Sequence, residues 1–149
     1  MHHFGFNGRK IVMAVESTLS GRCECGDVTF VAAGEVSDFS HCHCSQCRRL
    51  HGAAFGTFAG VARNGFQFTS GEGSARRYGS SPGTTRVFCE RCGSNLFVDT
   101  TAEPDVRYVC MGVVDAYPAL PPAYHQFAGS RAPWHEITDD LPQFEGDVD

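Results

Sequence analysis

Eight cysteines constrain this chain more than any other feature: Cys23-x-Cys25, Cys42-x-Cys44-x-x-Cys47, Cys89-x-x-Cys92, and Cys110 alone. An even count in an exported chain would suggest disulfides. Here Ile11–Val15 is too short for a signal-peptide core, and no small-residue cleavage site follows it. The expected address is the cytoplasm, where thiols stay reduced and clustered cysteines hold metal.

Cys89-x-x-Cys92-Gly93 lets two sulfurs reach one ion, and the glycine permits the tight turn that brings backbone N–H groups onto sulfur. Cys23-x-Cys25-Gly26 ends in the same Cys-Gly step. Together the two halves supply all four thiolate ligands of a closed, structural zinc. The middle set, Cys42, Cys44 and Cys47, offers three sulfurs and leaves a fourth position, the arrangement of a catalytic or ligand-exchanging zinc. The alternative is closure by histidine. His41 and His43 alternate with the cysteines and would point away from the sulfurs in a strand, whereas His51 has a spacing that reaches. Zinc bound by three thiolates carries a formal charge of about −1, ionises water poorly and suits a soft fourth ligand such as a substrate thiolate. Arg48 and Arg49 follow Cys47 and can offset that charge or clamp a substrate carboxylate. Two zinc ions per chain and a small thiol ligand are therefore expected.

The rest of the 149 residues is enough for one domain with its own core. Seventeen glycines and seven prolines favour turns over long helices. Short β-branched or aromatic runs predict strands at Val28–Ala33, Ala54–Gly60, Gly65–Ser70, Ala75–Tyr78, Thr85–Cys89, Asn95–Asp99 and Val106–Val114. Only Ser45–His51 reads as a helical turn, so the fold class is all-β. Residues 1–18 are expected to be a flexible extension, with Met13 an alternative start, residues 19–145 the domain and 146–149 an acidic tail. Phe55, Phe58, Phe66, Phe68, Trp134 and Cys110 are expected in the core, and His125 is either a structural histidine or a lining residue of the zinc pocket. Asp115 falls at a strand end, as a ligand-orienting group or a turn carboxylate.

Several functions are excluded. No apolar run is long enough to span a membrane. The net charge of −5 comes from Glu136–Asp149, with six acids and no base, while residues 1–135 hold twelve bases against eleven acids. Lys10 is the single lysine and no basic stripe exists, so nucleic acid is not an expected partner. The paired zinc signatures of nucleobase deaminases are absent as well.

Gly21-x-Cys23-x-Cys25-Gly26-x-Val28, Cys42-His43-Cys44-Ser45-x-Cys47-Arg48 and Phe88-Cys89-x-x-Cys92-Gly93-Ser94 together resemble the glutathione-dependent formaldehyde-activating enzyme family, which includes centromere protein V. Gly112-x-x-Asp115, Pro122, His125, Trp134 and Asp140-Leu141-Pro142 extend the resemblance over roughly Leu19–Phe144. It implies a β-tent of small antiparallel sheets around the zinc sites. It also implies a structural zinc on Cys23, Cys25, Cys89 and Cys92, and a second zinc with an exchangeable ligand on Cys42, Cys44 and Cys47. The implied activity is that of a carbon–sulfur lyase on S-hydroxymethylglutathione, the adduct of glutathione and formaldehyde. Arg48 and Arg49 would then hold a carboxylate, and His43 or His125 would shuttle a proton. The alternative is a non-catalytic zinc module that binds a small thiol or a protein partner.

Overall fold

A computed structural model describes residues 14–147, so Met1–Met13, with most of the expected extension, lie outside the described residues. The strands are β1 (Val15–Arg22), β2 (Thr29–Cys42), β3 (Gly56–Ala62), β4 (Phe66–Ser70), β5 (Ala75–Ser81), β6 (Thr84–Cys89), β7 (Asn95–Thr100), β8 (Val106–Cys110), β9 (Val114–Ala116) and β10 (Tyr124–Gln126). The only α-helix among the described residues is α1 (Ser45–His51), where the sequence placed its helical turn. Among the described residues no helix is long and apolar enough to cross a membrane.

The strands join in the order β5-β6-β7-β8-β3-β2-β1-β9, with β4 and β10 attached to β2. All pairings are antiparallel except that of β10 with β2. The 14-residue β2 exchanges partners part-way along. Its first half lies between β1 and β4, its second between β3 and β10. The change falls at a register shift between Ser37 and Ser40, where Asp38 takes a left-handed φ of 51°. A bulge of this kind bends a strand and lets one sheet fold over itself, which gives the all-β tent.

Successive residues of β3, β7 and β8 face opposite sides and feed two cores. Ala59, Val61, Phe97 and Val109 join Leu19, Phe30, Phe66 and Val114 in one. Phe58, Val98, Tyr108 and Cys110 join Cys42, Cys44 and Cys47 in the other. Phe68 packs on the first core, and Cys110 is the expected buried thiol, its pKa raised to about 12 by burial. The expected strand at Val106–Val114 is interrupted by a 3-10 turn at Met111–Val113, which separates β8 from β9. Trp134 was expected in the core and is instead 72% exposed. Its segment pairs with no strand, and the neighbouring Ala132 is the residue it buries.

Candidate metal centres and histidine cluster

Two hairpin connections build the first cysteine set. Cys23 and Cys25 lie in the loop from β1 to β2; Cys89 ends β6, and Cys92 lies in the loop to β7. The Gly26 N–H donates to Cys23 O (3.0 Å) and the Gly93 N–H to Cys89 O (2.8 Å). Both glycines are left-handed, with φ of 79° and 80°, the conformation for which the two Cys-Gly steps were read. The Ser94 hydroxyl accepts from the Glu24 N–H at 2.9 Å and ties the loops together. All four sulfurs lie within 4.8 Å of one another. Those of Cys23 and Cys25 are 3.5 Å apart, and those of Cys25 and Cys89 are 3.9 Å apart. Zinc–sulfur bonds of about 2.3 Å require tetrahedral edges of about 3.8 Å, so this donor set fits zinc. The Ser94 hydroxyl and backbone donors pull the Cys92 thiol down to about 5, favouring the thiolate a metal needs.

The second set is made where β2 runs into α1. Cys44 caps the helix, its sulfur accepting from the Cys47 N–H at 3.2 Å, and Gly52 closes it with a left-handed φ of 57°. Cys42, Cys44 and Cys47 are all buried, and their sulfurs converge within 4.8 Å. No other Cys, His, Asp or Glu among the described residues joins them at that spacing. His51 packs edge-on against Phe58 instead (5.4 Å between centroids). Hydrogen bonding with Cys44 and Cys47, together with burial, pushes the Cys42 thiol well up. Three crowded thiols cannot ionise together without a nearby positive charge, the circumstance a dication relieves.

One cation already touches this set. Arg86 of β6 is 3% exposed and donates from Nη2 to Cys47 Sγ (3.5 Å) and to Gln46 Oε1 (3.1 Å), and from Nε to Ser80 Oγ (3.2 Å). Sequence reasoning missed it, because nothing local links β6 to Cys47. Arg48 donates from Nε to Ser130 O (3.2 Å), and Arg49 is exposed on α1. Asp115 is exposed, pairs with Arg22 at 3.7 Å and joins neither cysteine set.

The parallel pairing of β10 with β2 sets His125 opposite His41 and Gln126 opposite Cys42. His43 Nε2 lies 2.7 Å from His125 Nδ1, and His125 Nε2 lies 2.9 and 3.0 Å from the two oxygens of Asp139. His43 and His125 are 0% and 2% exposed. Phe55 sits against His41 and His43 at centroid distances of 4.6 and 4.9 Å, so this phenylalanine packs on the histidines. The alternation expected of His41 and His43 therefore holds: both stack on the ring cluster, while Cys42 and Cys44 enter the apolar core. Burial, then the neighbouring His125, lowers His43 to about 4, so its ring is neutral at pH 7. Desolvation opposes the charge of Asp139, but hydrogen bonds from His125 and the Leu141 N–H outweigh it and hold the carboxyl below its usual range. A charged Asp139 accepts from His125 Nε2–H. With His125 Nδ1 accepting from His43 Nε2–H, His43 Nδ1 is left as a buried lone pair with no partner among the described residues.

An all-β tent that brings four and three cysteines together defines a class of domain whose thiols could hold metal, and the comparisons give the family. The family model for the glutathione-dependent formaldehyde-activating enzyme matches residues 18–130, and the chain belongs to that family. A Halomonas elongata protein with the provisional name of glutathione-dependent formaldehyde-activating enzyme is 30% identical over 127 residues, covering 80% of each chain. An uncharacterised lyase of Schizosaccharomyces pombe is 30% identical over 77 residues, 52% of this chain and 54% of that one. A crystal structure of a Rhodobacter sphaeroides protein shares the fold, with a TM-score of 0.56 at 21% identity, covering 67% of this chain and 91% of that one.

Proposed function

We propose that the protein is a zinc-dependent carbon–sulfur lyase of the cytoplasm that acts on thiol–aldehyde adducts such as S-hydroxymethylglutathione. Cys23, Cys25, Cys89 and Cys92 would hold a structural zinc, and Cys42, Cys44 and Cys47 a second one with an exchangeable position. The observation that carries the reading is three buried sulfurs converging without a fourth ligand among the described residues, next in sequence to a buried histidine whose Nδ1 has no partner among them. When bound, the second zinc would supply stabilisation of the substrate sulfur as thiolate.

Cleavage of the adduct breaks the carbon–sulfur bond with its electron pair going to sulfur, while the hydroxyl loses its proton and becomes the aldehyde carbonyl. His43 faces away from the sulfurs, so its Nδ1, oriented by His125 and, through it, by Asp139, would receive that proton through an intervening water rather than directly from the adduct. Burial of His43 and His125 keeps bulk water from their shared hydrogen bond. Arg86 balances the sulfur charge, and Arg48 or Arg49 would hold a substrate carboxylate.

The test combines native mass spectrometry with adduct-cleavage assays. Wild type should carry two zinc ions per chain, and Cys44→Ser should keep the fold while losing cleavage of S-hydroxymethylglutathione. Full activity in Cys44→Ser would overturn the open-site mechanism. Thiol binding with no turnover of any adduct would make the protein a binding module instead.

A further inference from the structure

Strand register gathers charge at the rim of the first core. Thr85 of β6 pairs with Asp99 of β7 and Asp99 with Arg107 of β8, while Arg77 of β5 pairs with Val87, two residues along β6. Alternation sets these side chains on the face of Phe97 and Val109, opposite to that from which Arg86 reaches Cys47. Arg107 gives both ends of its guanidinium to Asp99 (2.9 Å each) and lies over Phe97 and Phe66 at 3.9 and 4.7 Å. The carboxylate is thereby occupied. Arg63, in the turn after β3, and Arg77 approach it only to 3.6 and 3.9 Å, beyond hydrogen-bonding reach.

Three guanidiniums thus share one carboxylate, and two positive charges stand unbalanced. The Arg77 side chain makes no hydrogen bond among the described residues. That of Arg63 donates to Val106 O (3.3 Å) and leaves its Nε buried without a partner, a donor that is costly to strand. Arg63, Arg77, Gly83, Thr85, Asp99 and Thr101 bound a cavity of about 290 Å³. The hydroxyls of Thr85 and Thr101 have no partner among the described residues. Gly83 is left-handed (φ 76°), and a Cβ there would stand 2.6 Å from Thr101 Oγ1, so glycine leaves that hydroxyl uncovered. Guanidinium and hydroxyl donors around an excess of two charges suit a compact anion with several oxygens and two charges, which is a phosphate group. A second cavity, of about 550 Å³, shares Arg63 and Pro104 with the first and has room for an organic substituent. Asp105, which forms no ion pair, bounds it and disfavours a further anionic group there.

We propose that this rim is a binding site for a phosphate dianion, free or carried by a small monoester whose remainder is neutral or basic. No cysteine or histidine lines either cavity, so the site stands whether or not the protein cleaves thiol adducts.

The test is isothermal titration calorimetry of the full-length, zinc-loaded protein at low salt, in a phosphate-free buffer well above the second phosphate pKa of about 6. Inorganic phosphate and glycerol 3-phosphate are the probes, and at least one should bind saturably to a single site per chain. Arg77→Gln removes a cation without removing any hydrogen bond of its side chain, and should weaken binding about tenfold or more, the usual loss of one charge-assisted hydrogen bond. Thr101→Val should weaken it less, in the same direction. Arg22→Gln, which alters an exposed arginine paired with Asp115, should bind as wild type does. Tighter binding of glycerol 3-phosphate than of phosphate assigns a monoester, and equal or weaker binding assigns the free ion; either upholds the site when the affinity falls in Arg77→Gln. Absence of saturable binding to wild type overturns the proposal. So does an affinity unchanged in both Arg77→Gln and Thr101→Val, or one lowered equally by Arg22→Gln. Acetate at matched ionic strength binding as tightly as phosphate would also overturn it.

Discussion

Replacing Arg86 with methionine keeps an unbranched side chain of similar length while removing the one cation in contact with the three-cysteine set. Nη2 stands 3.5 Å from Cys47 Sγ in a site that is 3% exposed. At an effective dielectric constant of about 20, a full charge on sulfur at that distance attracts the guanidinium by about 5 kcal/mol. Desolvation of both groups cancels much of this, so the net effect should match other partners that touch a metal ligand, about 10- to 100-fold in metal affinity. The substitution leaves the four-cysteine set untouched, because Arg86 contacts none of its members among the described residues. Competition against a chromophoric zinc chelator should then show two classes of ion: one released as in wild type, the other released at correspondingly lower chelator concentration. Two ions with wild-type affinities would refute the idea that Arg86 balances the sulfur charge, and a change confined to the tighter ion would show the two sets to be coupled.

Three further outcomes can be checked. Cys92→Ser gives up a share of the roughly 10 kcal/mol that a structural zinc contributes to folding, so its melting temperature should fall and cease to respond to chelator; unchanged melting would count against the closed site. Asp99 receives both donors of Arg107 at 2.9 Å while Arg63 and Arg77 approach it at 3.6 and 3.9 Å. Asp99→Asn leaves three guanidinium groups without their shared carboxylate and should cost about 3 kcal/mol, or roughly 6–12 °C in a thermal melt, a loss that high salt should lessen. Burial, then Arg86, lowers His51 from 6.5 to about 4. The unfolded chain therefore takes up this proton below about pH 6.5 while the folded one resists it, so the term is harmless above 6.5 and destabilising as pH falls towards 4. His51→Gln should flatten the stability profile across that window in denaturant titrations, and identical slopes would exclude His51 as the source.

The metal sets were legible because ligand spacing is local: each half of a site lies within one loop or one turn, and Cys-Gly steps announce the left-handed residue that follows. Alternation of aromatic and β-branched residues marked much of β3 to β8 for the same reason. The second half of β2 was not legible. Glu35, Ser37, Asp38 and Ser40 obscure the pattern, and the segment is a strand because β3 and β10 satisfy its two edges. Contacts such as Arg86 to Cys47, 39 residues apart, or His43 to His125, 82 apart, exist only once those strands have paired.

The family match covers residues 18–130 and holds every sulfur of both sets, but Asp139, which accepts from His125, falls beyond it. The later segment is nonetheless fastened to the same scaffold. The Phe144 N–H donates to His125 O (2.9 Å), the His125 N–H to Pro142 O (2.9 Å) and the Ala128 N–H to Phe144 O (2.8 Å). The histidine cluster therefore draws on a segment that supplies neither cysteine set. Asp139→Ala should lower adduct cleavage without altering zinc content, because Asp139 accepts from His125 and belongs to neither cysteine set. Wild-type cleavage rates in Asp139→Ala would remove the His125–Asp139 pair from the mechanism.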